Sequence, residues 1–143
     1  MPQSGISVGS DARFDILTPT GLLSLPTLLS FDAKKITHKV KINPLTGVPI
    51  NLQFPDGWEG SFDVAREDST LDDYFALIEA SQYAGANIAS GTIHQSITEV
   101  NGTISQYMFT GVQLYFDDAG NWKALSDVMQ KVSFMAQTRI KVV

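Results

Sequence analysis

Long runs in which apolar and polar residues alternate constrain this chain more than any other feature of its sequence. In KKITHKVKI (residues 34–42), every second residue from Ile36 to Ile42 is Ile, His, Val or Ile, and threonine and lysine stand between them. A two-residue period is typical of a β-strand with two chemically different faces. VPINLQF (48–54) resumes the alternation after NPLTG (43–47), which has the composition of a turn. The two runs predict a long hairpin over about residues 34–54, and its polar tip is expected to reach a neighbouring subunit.

Several further strands follow from the same reasoning. RFDIL (13–17) is a possible first strand, whereas GLLSLPTLLSF (21–31) is interrupted by Pro26 and favours an edge strand or a covering loop. PDG (55–57) is interpreted as a turn that leads into WEGSFDVAR, and Asn101-Gly102 joins two more strands as a short hairpin. The run DVMQKVSFMAQTRI, residues 127–140, predicts one last long strand.

A single helix is predicted over about residues 69–84. Ser69 can cap it, Asp72 stands three residues later as in a capping box, and Gly85 can end it. An apolar stripe at helical spacing should lie against a sheet; its members are Leu71, Tyr74, Phe75 and Ile78. Roughly seven or eight strands with one helix predict a mainly β fold, an antiparallel sandwich or barrel with one flanking α-helix.

Length and composition set the frame for this fold. A chain of 143 residues with 43% hydrophobic and 17% charged residues predicts one globular domain spanning residues 1–143. The first dozen residues (about 1–12) are rich in Ser, Gly and Pro and are expected to form a flexible arm. No run of residues is apolar enough for a membrane-spanning segment, so a soluble protein is expected. A net charge of -5 disfavours a surface that holds nucleic-acid phosphates.

Metal and cofactor chemistry finds little support in the sequence. There are no cysteines, which removes disulfides, thiolate metal sites and cysteine nucleophiles. DDAGN (117–121) shares letters with a calcium-binding loop, but Val128 occupies the position where an EF-hand loop needs glutamate. His38 and His94 belong to different hairpins, and His38 is in phase with apolar neighbours, which favours a structural role. We expect no metal ligands and no cofactor.

Catalytic groupings are equally poorly supported. Asp72 and Asp73 stand where a helix begins, and negative charge there is favoured by the free amide groups, so a capping role is preferred over a catalytic pair. Ser10 and Asp11 belong to no nucleophile signature. NGT (101–103) matches a glycan acceptor but is interpreted as a turn, and the glycines lack a phosphate-binding spacing. The sequence predicts no catalytic residues and a protein that is not an enzyme.

The closing run also predicts which side chains face the core. The core face is assigned to Val128, Val132, Phe134, Ala136 and Ile140, interrupted by Gln130 and Thr138. The opposite face is assigned to solvent or a subunit boundary and consists of Met129, Lys131, Ser133, Met135, Gln137 and Arg139.

Two stretches carry a resemblance to a known family. GTIHQSITEVNGTISQYMFTGVQLYFDDAGNWKALSDVMQKVSFMAQTRI (91–140) resembles the C-terminal half of tail tube proteins of contractile-tailed bacteriophages, and GWEGSFDVAREDSTLDDYFALIE (57–79) resembles the strand that leads into that family's single helix. The resemblance implies a sandwich or barrel of two antiparallel sheets with one flanking helix, shared with pyocin tubes and with the hemolysin-coregulated protein of type VI secretion.

The resemblance also implies a function. Six copies would form a ring whose strands continue into one inner barrel, and rings would stack into the inner tube of a phage tail, within the contractile sheath. The implied partners are further copies of the chain, the tail sheath protein, the baseplate and tail terminator proteins, and a tape measure protein in the lumen. DNA would pass through without specific binding. The implied location is the virion tail tube, assembled in the cytoplasm of the host bacterium.

Two alternatives stay open. The first is the tube protein of a pyocin or of a type VI-like contractile injection system. The second belongs to another class, a monomeric β-barrel of about this length that binds a small molecule in its interior. An enzyme on a jelly roll would need a metal triad that the sequence lacks.

Overall fold

The fold consists of eight β-strands and one α-helix in the part of the chain that the structure describes. The computed structural model describes residues 5–6, 8–19, 21–23, 25, 28–86 and 90–142. The strands are β1 (Ala12–Thr18), β2 (Gly21–Leu23), β3 (Leu28–Ile42), β4 (Ile50–Ala65), β5 (Gly91–Thr98), β6 (Ile104–Asp118), β7 (Met129–Ala136) and β8 (Thr138–Lys141). The helix α1 spans Thr70–Tyr83, and a short 3-10 helix, Gly9–Asp11, precedes β1.

Two antiparallel sheets share the strand β6. Its N-terminal part pairs with β5 on one side and β8 on the other, which gives a first sheet in the order β2-β1-β5-β6-β8. Its C-terminal part, from Gln113 onward, pairs with β7, which gives a second sheet in the order β6-β7-β4-β3. The buried side chains of both sheets form one cluster between them. This architecture confirms the predicted sandwich with one helix.

The chain passes from one sheet to the other at two adjacent bends. In β6 the bend is at Gly111, whose φ of 62° is unfavourable for residues with a side chain. A Cβ atom at Gly111 would lie 2.6 Å from the Gln137 side chain. Gln137 itself separates β7 from β8, and its amide donates to the Thr110 carbonyl at 2.8 Å. The prediction of one strand over residues 127–140 is therefore wrong, because the chain leaves the second sheet at Gln137 to join the first.

The bend also changes the predicted faces of the closing run. In β7, before the bend, the predicted alternation of faces is confirmed. The buried side chains are Gln130, Val132, Phe134 and Ala136, and Lys131 and Met135 are exposed. In β8, after the bend, the alternation of inward and outward side chains is shifted by one residue. Ile140 is exposed and Arg139 points inward, with its guanidinium 3.8 Å from the centre of the Tyr107 ring. The assignment of Ile140 to the core and of Arg139 to the outer face is wrong because Gln137 belongs to neither strand.

Aromatic rings fill the space between the sheets. Phe62, Phe109 and Phe134 are almost completely buried. Phe31 stacks on Phe14 with ring centres 3.9 Å apart and lies 5.3 Å from Phe134. Because rings from both sheets interlock, burial of large apolar area holds the two layers together.

The helix packs on the C-terminal end of β6. Leu71 is buried, and the Phe75 ring stacks on Phe116 with centres 4.6 Å apart, so the predicted apolar stripe is confirmed. The predicted capping box is wrong. The Asp68 carboxylate accepts a hydrogen bond from the Thr70 amide at 3.0 Å. The Ser69 hydroxyl makes no capping bond and donates to the Asp73 carboxylate instead.

The end of the helix is as predicted. Gly85 has a φ of 78°, and the amide of Ala86 donates to the carbonyl of Ser81 at 2.9 Å, which is the Schellman pattern.

The predicted turn at residues 55–57 is wrong. These residues lie inside β4, which is one continuous strand of 16 residues. Lys35 pairs with Trp58 and Thr37 with Pro55, so β4 contains one extra residue there, and Gly57 has a φ of 97°. A β-bulge accommodates the proline and the glycine without reversing the chain.

The remaining turns and strands agree in part with the predictions from the sequence. The hairpin at Asn101-Gly102 is confirmed, but its loop spans residues 99–103 and is closed by the Asn101 side chain, which accepts a hydrogen bond from the Thr103 amide at 3.1 Å. Ala12–Thr18 confirms the predicted first strand, and Gly21–Leu23 is the short edge strand; Pro26 lies outside the described residues. The single domain and the flexibility of residues 1–12 stay predictions.

The core predicts a sharp contrast between two positions of β7. Phe134→Ala removes a ring that is 1% exposed and contacts Phe31 and Phe109, so we expect a loss of about 3–5 kcal/mol of unfolding free energy. Lys131→Glu, on the outer face of the same strand, should change stability by less than about 0.5 kcal/mol. Thermal melting of the unassembled variants measures both. Equal melting of Phe134→Ala and the parent would contradict the assigned core.

Candidate assembly surface

The hairpin of β3 and β4 extends beyond the body of the sandwich. β7 pairs with β4 only as far as Trp58, which faces Ala136. From Pro55 to Ile50, β4 has β3 as its sole strand partner among the described residues. Residues 36–55 therefore form a two-stranded ribbon with no third strand beside it, and we call this segment the ribbon. A two-stranded ribbon alone in water is marginally stable.

The two faces of the ribbon differ in chemistry. The register pairs His38 with Phe54, Val40 with Leu52 and Ile42 with Ile50, so these six side chains share one face. On the other face Thr37 is opposite Pro55, Lys39 opposite Gln53 and Lys41 opposite Asn51. The alternation read from the sequence therefore belongs to a ribbon with one apolar and one basic face.

The apolar face is open to solvent in the single chain. Phe54 is 51% exposed, Ile50 48% and Ile42 44%, and Leu45 at the tip is fully exposed. A contiguous apolar surface of this kind on a small domain marks a site of interaction. His38 is exposed beside Phe54 on this face, and its structural role stays a prediction.

Both edges of the second sheet are free over long stretches. In the described part of the chain, β3 pairs with β4 and with nothing on its other side, and residues 113–118 of β6 pair with β7 on one side only. Free edges expose backbone amides and carbonyls that can pair with another chain. The edges of the first sheet are shorter, since β2 has three residues and β8 has four.

The outer face of the second sheet is acidic, with Met129, Met135 and Tyr115 exposed among its charged side chains. It forms a shallow depression whose charged lining consists of Asp32, Glu59, Asp117, Lys34 and Lys131. Asp63, the cross-strand partner of Lys131, adds a fourth carboxylate and accepts a hydrogen bond from the Ser30 hydroxyl at 2.9 Å. The face therefore carries four carboxylates and two lysines.

The other residues weighed from the sequence are placed apart from one another. His94 lies on β5 in the first sheet, opposite Asp15 and Met108, whereas His38 lies on the ribbon of the second sheet. Asp72 accepts hydrogen bonds from Arg66 and from the buried Gln130 side chain, each at 3.0 Å, so it ties the helix to β7. No local sequence pattern predicts this tie, because Gln130 is 58 residues from Asp72 in the chain.

Asp117 and Asp118 of the DDAGN stretch are the last residues of β6, and the chain reverses over the loop of residues 119–128. The Asp118 carboxylate accepts a hydrogen bond from the Gly120 amide at 3.0 Å. Among the described residues no group of three or more His, Cys, Asp or Glu could hold a metal ion.

Asp11 is buried, and its pKa is lowered by a hydrogen bond from the Val8 amide; the side chain of Ser10 lies outside the described residues. No described helix is long and apolar enough to cross a membrane.

Comparison with known proteins gives structural neighbours only. No protein-family model matches the sequence, and no curated protein matches it significantly. The fold is similar to a chain in the sheath-tube complex of an extracellular contractile injection system, PVC, in the extended state, with a TM-score of 0.66 and 13% identity, covering 90% of this chain and 87% of that chain.

Two further structural neighbours come from a tube-terminating cap and from a tail tube. A chain of the tube-terminating cap of the anti-feeding prophage has a TM-score of 0.65 and 10% identity, covering 99% of this chain and 93% of that chain. The SPP1 tail tube has a TM-score of 0.57 and 10% identity, covering 95% of this chain and 78% of that chain. At these identities the likeness concerns the fold, and at that level the predicted resemblance to tail tube proteins is confirmed.

Proposed function

We propose that this chain is the subunit of a tail tube, in which six copies form a ring and rings stack into a hollow conduit. The observation that carries the proposal is the pair of long free edges on the second sheet, next to a ribbon whose apolar face is uncovered. The fold shared with the SPP1 tail tube and with chains of contractile injection systems supports it. Both surfaces are unfavourable in a monomer and favourable in an assembly.

Within a ring, the second sheets would join edge to edge. The free edge of β3 in one copy would lie beside residues 113–118 of β6 in the next. Repetition of that contact around a sixfold axis closes a barrel and removes the free edges.

The outer face of the second sheet would then line the channel. Its four carboxylates and two lysines leave it net negative, and a negative wall does not bind phosphates by releasing their counterions. DNA could pass through such a channel without being retained. A tape measure protein would occupy the lumen before ejection.

The partners at the outside and at the ends of the tube are inferred from the assemblies that contain the structural neighbours. The neighbouring chains come from a sheath-tube complex, a sheath and tube terminator, a cap and a baseplate. We infer that this chain meets a tail sheath protein, a terminator and a baseplate. The proposed location is the tail tube of a virion, assembled in the cytoplasm of a host bacterium, with no catalytic activity.

A tube of a contractile injection system is a second candidate. Four of the neighbours belong to extracellular contractile injection systems or to the anti-feeding prophage, which favours this class as much as a phage tail. The ring and the stacked tube are common to both candidates, and they differ in what passes through the channel.

A monomeric carrier is disfavoured by the interior of the sandwich. A carrier needs an apolar cavity between its sheets. Here four phenylalanine rings occupy that space, and the centre of the Phe31 ring lies 5.3–6.2 Å from the ring centres of Phe62, Phe109 and Phe134.

Negative-stain electron microscopy of the purified protein tests the proposed function. We expect hollow rings with sixfold symmetry and, at higher concentration, stacked tubes. Sedimentation velocity over the same concentrations should show the matching large species. A strictly monomeric protein at the highest concentration would refute the proposal.

The acidic channel predicts how charge reversal affects DNA. Asp32→Lys with Glu59→Lys should leave assembly intact and make the tubes retain duplex DNA at low salt, with release as salt rises, because each phosphate contact contributes a slope of about -0.9 in log K against log salt. The control Asp32→Asn with Glu59→Gln removes the same carboxylates without adding lysine. Retention of DNA by the parent tubes at low salt would show that this face does not line the channel.

A further inference from the structure

Charge is unevenly distributed between the ribbon and the rest of the chain. Residues 36–55 contain two lysines, Lys39 and Lys41, and no carboxylate. With a total net charge of -5, the remainder of the chain has a net charge of -7. A basic projection on an acidic body is electrostatically complementary to another copy of the same chain.

The ribbon itself restricts what can cover it. Lys39 and Lys41 lie on the face opposite to the one formed by Val40, Leu52 and Phe54. A partner that covers both faces must therefore offer carboxylates to one face and apolar groups to the other.

The opposite end of the same sheet offers both kinds of group. β4 leaves the ribbon at Pro55 and ends at Ala65, which pairs with Met129. Beyond this point lie residues 66–73, which include the first turn of α1, and residues 118–128; we call these two segments together the helix end. They are tied to each other, since the Arg66 amide donates to the Val128 carbonyl at 2.7 Å and the Arg66 guanidinium lies 5.2 Å from the centre of the Trp122 ring.

The helix end is acidic and has exposed apolar side chains. Its six carboxylates are Glu67, Asp68, Asp72, Asp73, Asp118 and Asp127, against two basic residues, Arg66 and Lys123. Asp72 is bonded to Arg66, and the other five carboxylates are exposed. Trp122 is 69% exposed, and Leu125 is fully exposed. The helix end thus matches the ribbon in opposite charge and in apolar character.

We propose that the ribbon of one copy docks onto the helix end of a copy in the adjacent ring. The ribbon and the helix end lie at opposite ends of the same strands, so the contact is head to tail and can repeat along the tube without closing. The inference rests on the proposed tube and assigns its ring-to-ring contact. The basic face of the ribbon lies against the carboxylates, and the apolar face is covered by the group that includes Trp122 and Leu125.

Salt should weaken this contact. The lysines and carboxylates are exposed in the separate copies, where charges act over about 10 Å at 0.1 M salt. Raising the salt concentration should therefore raise the protein concentration needed for stacking. Edge-to-edge pairing within a ring depends on backbone hydrogen bonds and should respond less.

A charge-swap experiment tests the proposal on the full chain. The first variant carries Lys39→Glu and Lys41→Glu, and the second carries Glu67→Lys and Asp127→Lys, at two exposed carboxylates of the helix end. The third carries all four changes. The control, Arg13→Glu with Lys141→Glu, makes the same change in net charge as the first variant at exposed positions of the first sheet. Circular dichroism establishes that each variant is folded, and electron microscopy with sedimentation measures rings and stacked tubes.

We expect the first and second variants to form rings that do not stack, with the concentration required for stacking raised about tenfold or more. The third variant should stack like the parent, because it restores opposite charges with their positions exchanged. The control should also stack.

Three results would overturn the inference: stacking of both single-sided variants at the parental concentration, failure of the third variant to recover, or loss of stacking in the control. Failure to recover would be expected if the lysines bind nucleic acid, since new lysines on the helix end would not replace that contact. Each of these results leaves the proposed tube subunit in place as long as rings form. A parent protein that forms no rings contradicts the proposed function itself, and the inference with it.

Discussion

The two sheets are held in one fold by β6, which belongs to both. Its N-terminal part pairs with β5 and β8, and its last residues pair with β7. This arrangement requires a bend in the strand, which Gly111 accommodates at positive φ while the Gln137 amide bonds to the neighbouring Thr110 carbonyl. Because both sheets are anchored to the same strand, their inner faces oppose each other and the aromatic rings between them interlock. The rest of the fold depends on this shared strand.

The shared strand also explains why the second sheet is left incomplete. The strands that pair with the first part of β6 do not extend along residues 113–118, so that edge stays free. At the other side β3 has no further partner among the described strands, and β3 and β4 continue past the end of β7 as the ribbon. Backbone groups and apolar side chains that a monomer leaves exposed are available to further copies, which is how this geometry supports a tube.

Much of the fold could be predicted from the sequence because local patterns determine it. The alternation in residues 34–42 and 48–54 identified the paired strands of the ribbon, and the spacing of Leu71 and Phe75 identified the face of the helix that is covered. The errors arose where tertiary contacts overrule local signals. A bulge absorbs Pro55 and Gly57 inside β4, and pairing with β6 breaks the closing run at Gln137. Neither effect is encoded in the neighbouring residues alone.

The assembly surfaces were only partly accessible to sequence reasoning. The alternation of residues predicts the ribbon, and the structure adds that its apolar face is open in the single chain. The free edge of β6 could not be predicted, because it depends on where β5 and β8 stop. The basic ribbon and the acidic helix end lie at opposite ends of β4. This placement follows from the pairing of β4 with β7, which sequence patterns do not reveal.

Hydrogen exchange of the backbone amides tests most directly whether other copies cover the ribbon. In the unassembled protein, amides of residues 50–54 should exchange much faster than those of residues 58–64, since the latter segment is paired on both sides. In assembled tubes the ribbon amides should become strongly protected, while residues 58–64, which are protected in both states, serve as the internal reference. Ribbon amides that exchange at the same rate in tubes and in the unassembled protein would contradict the account.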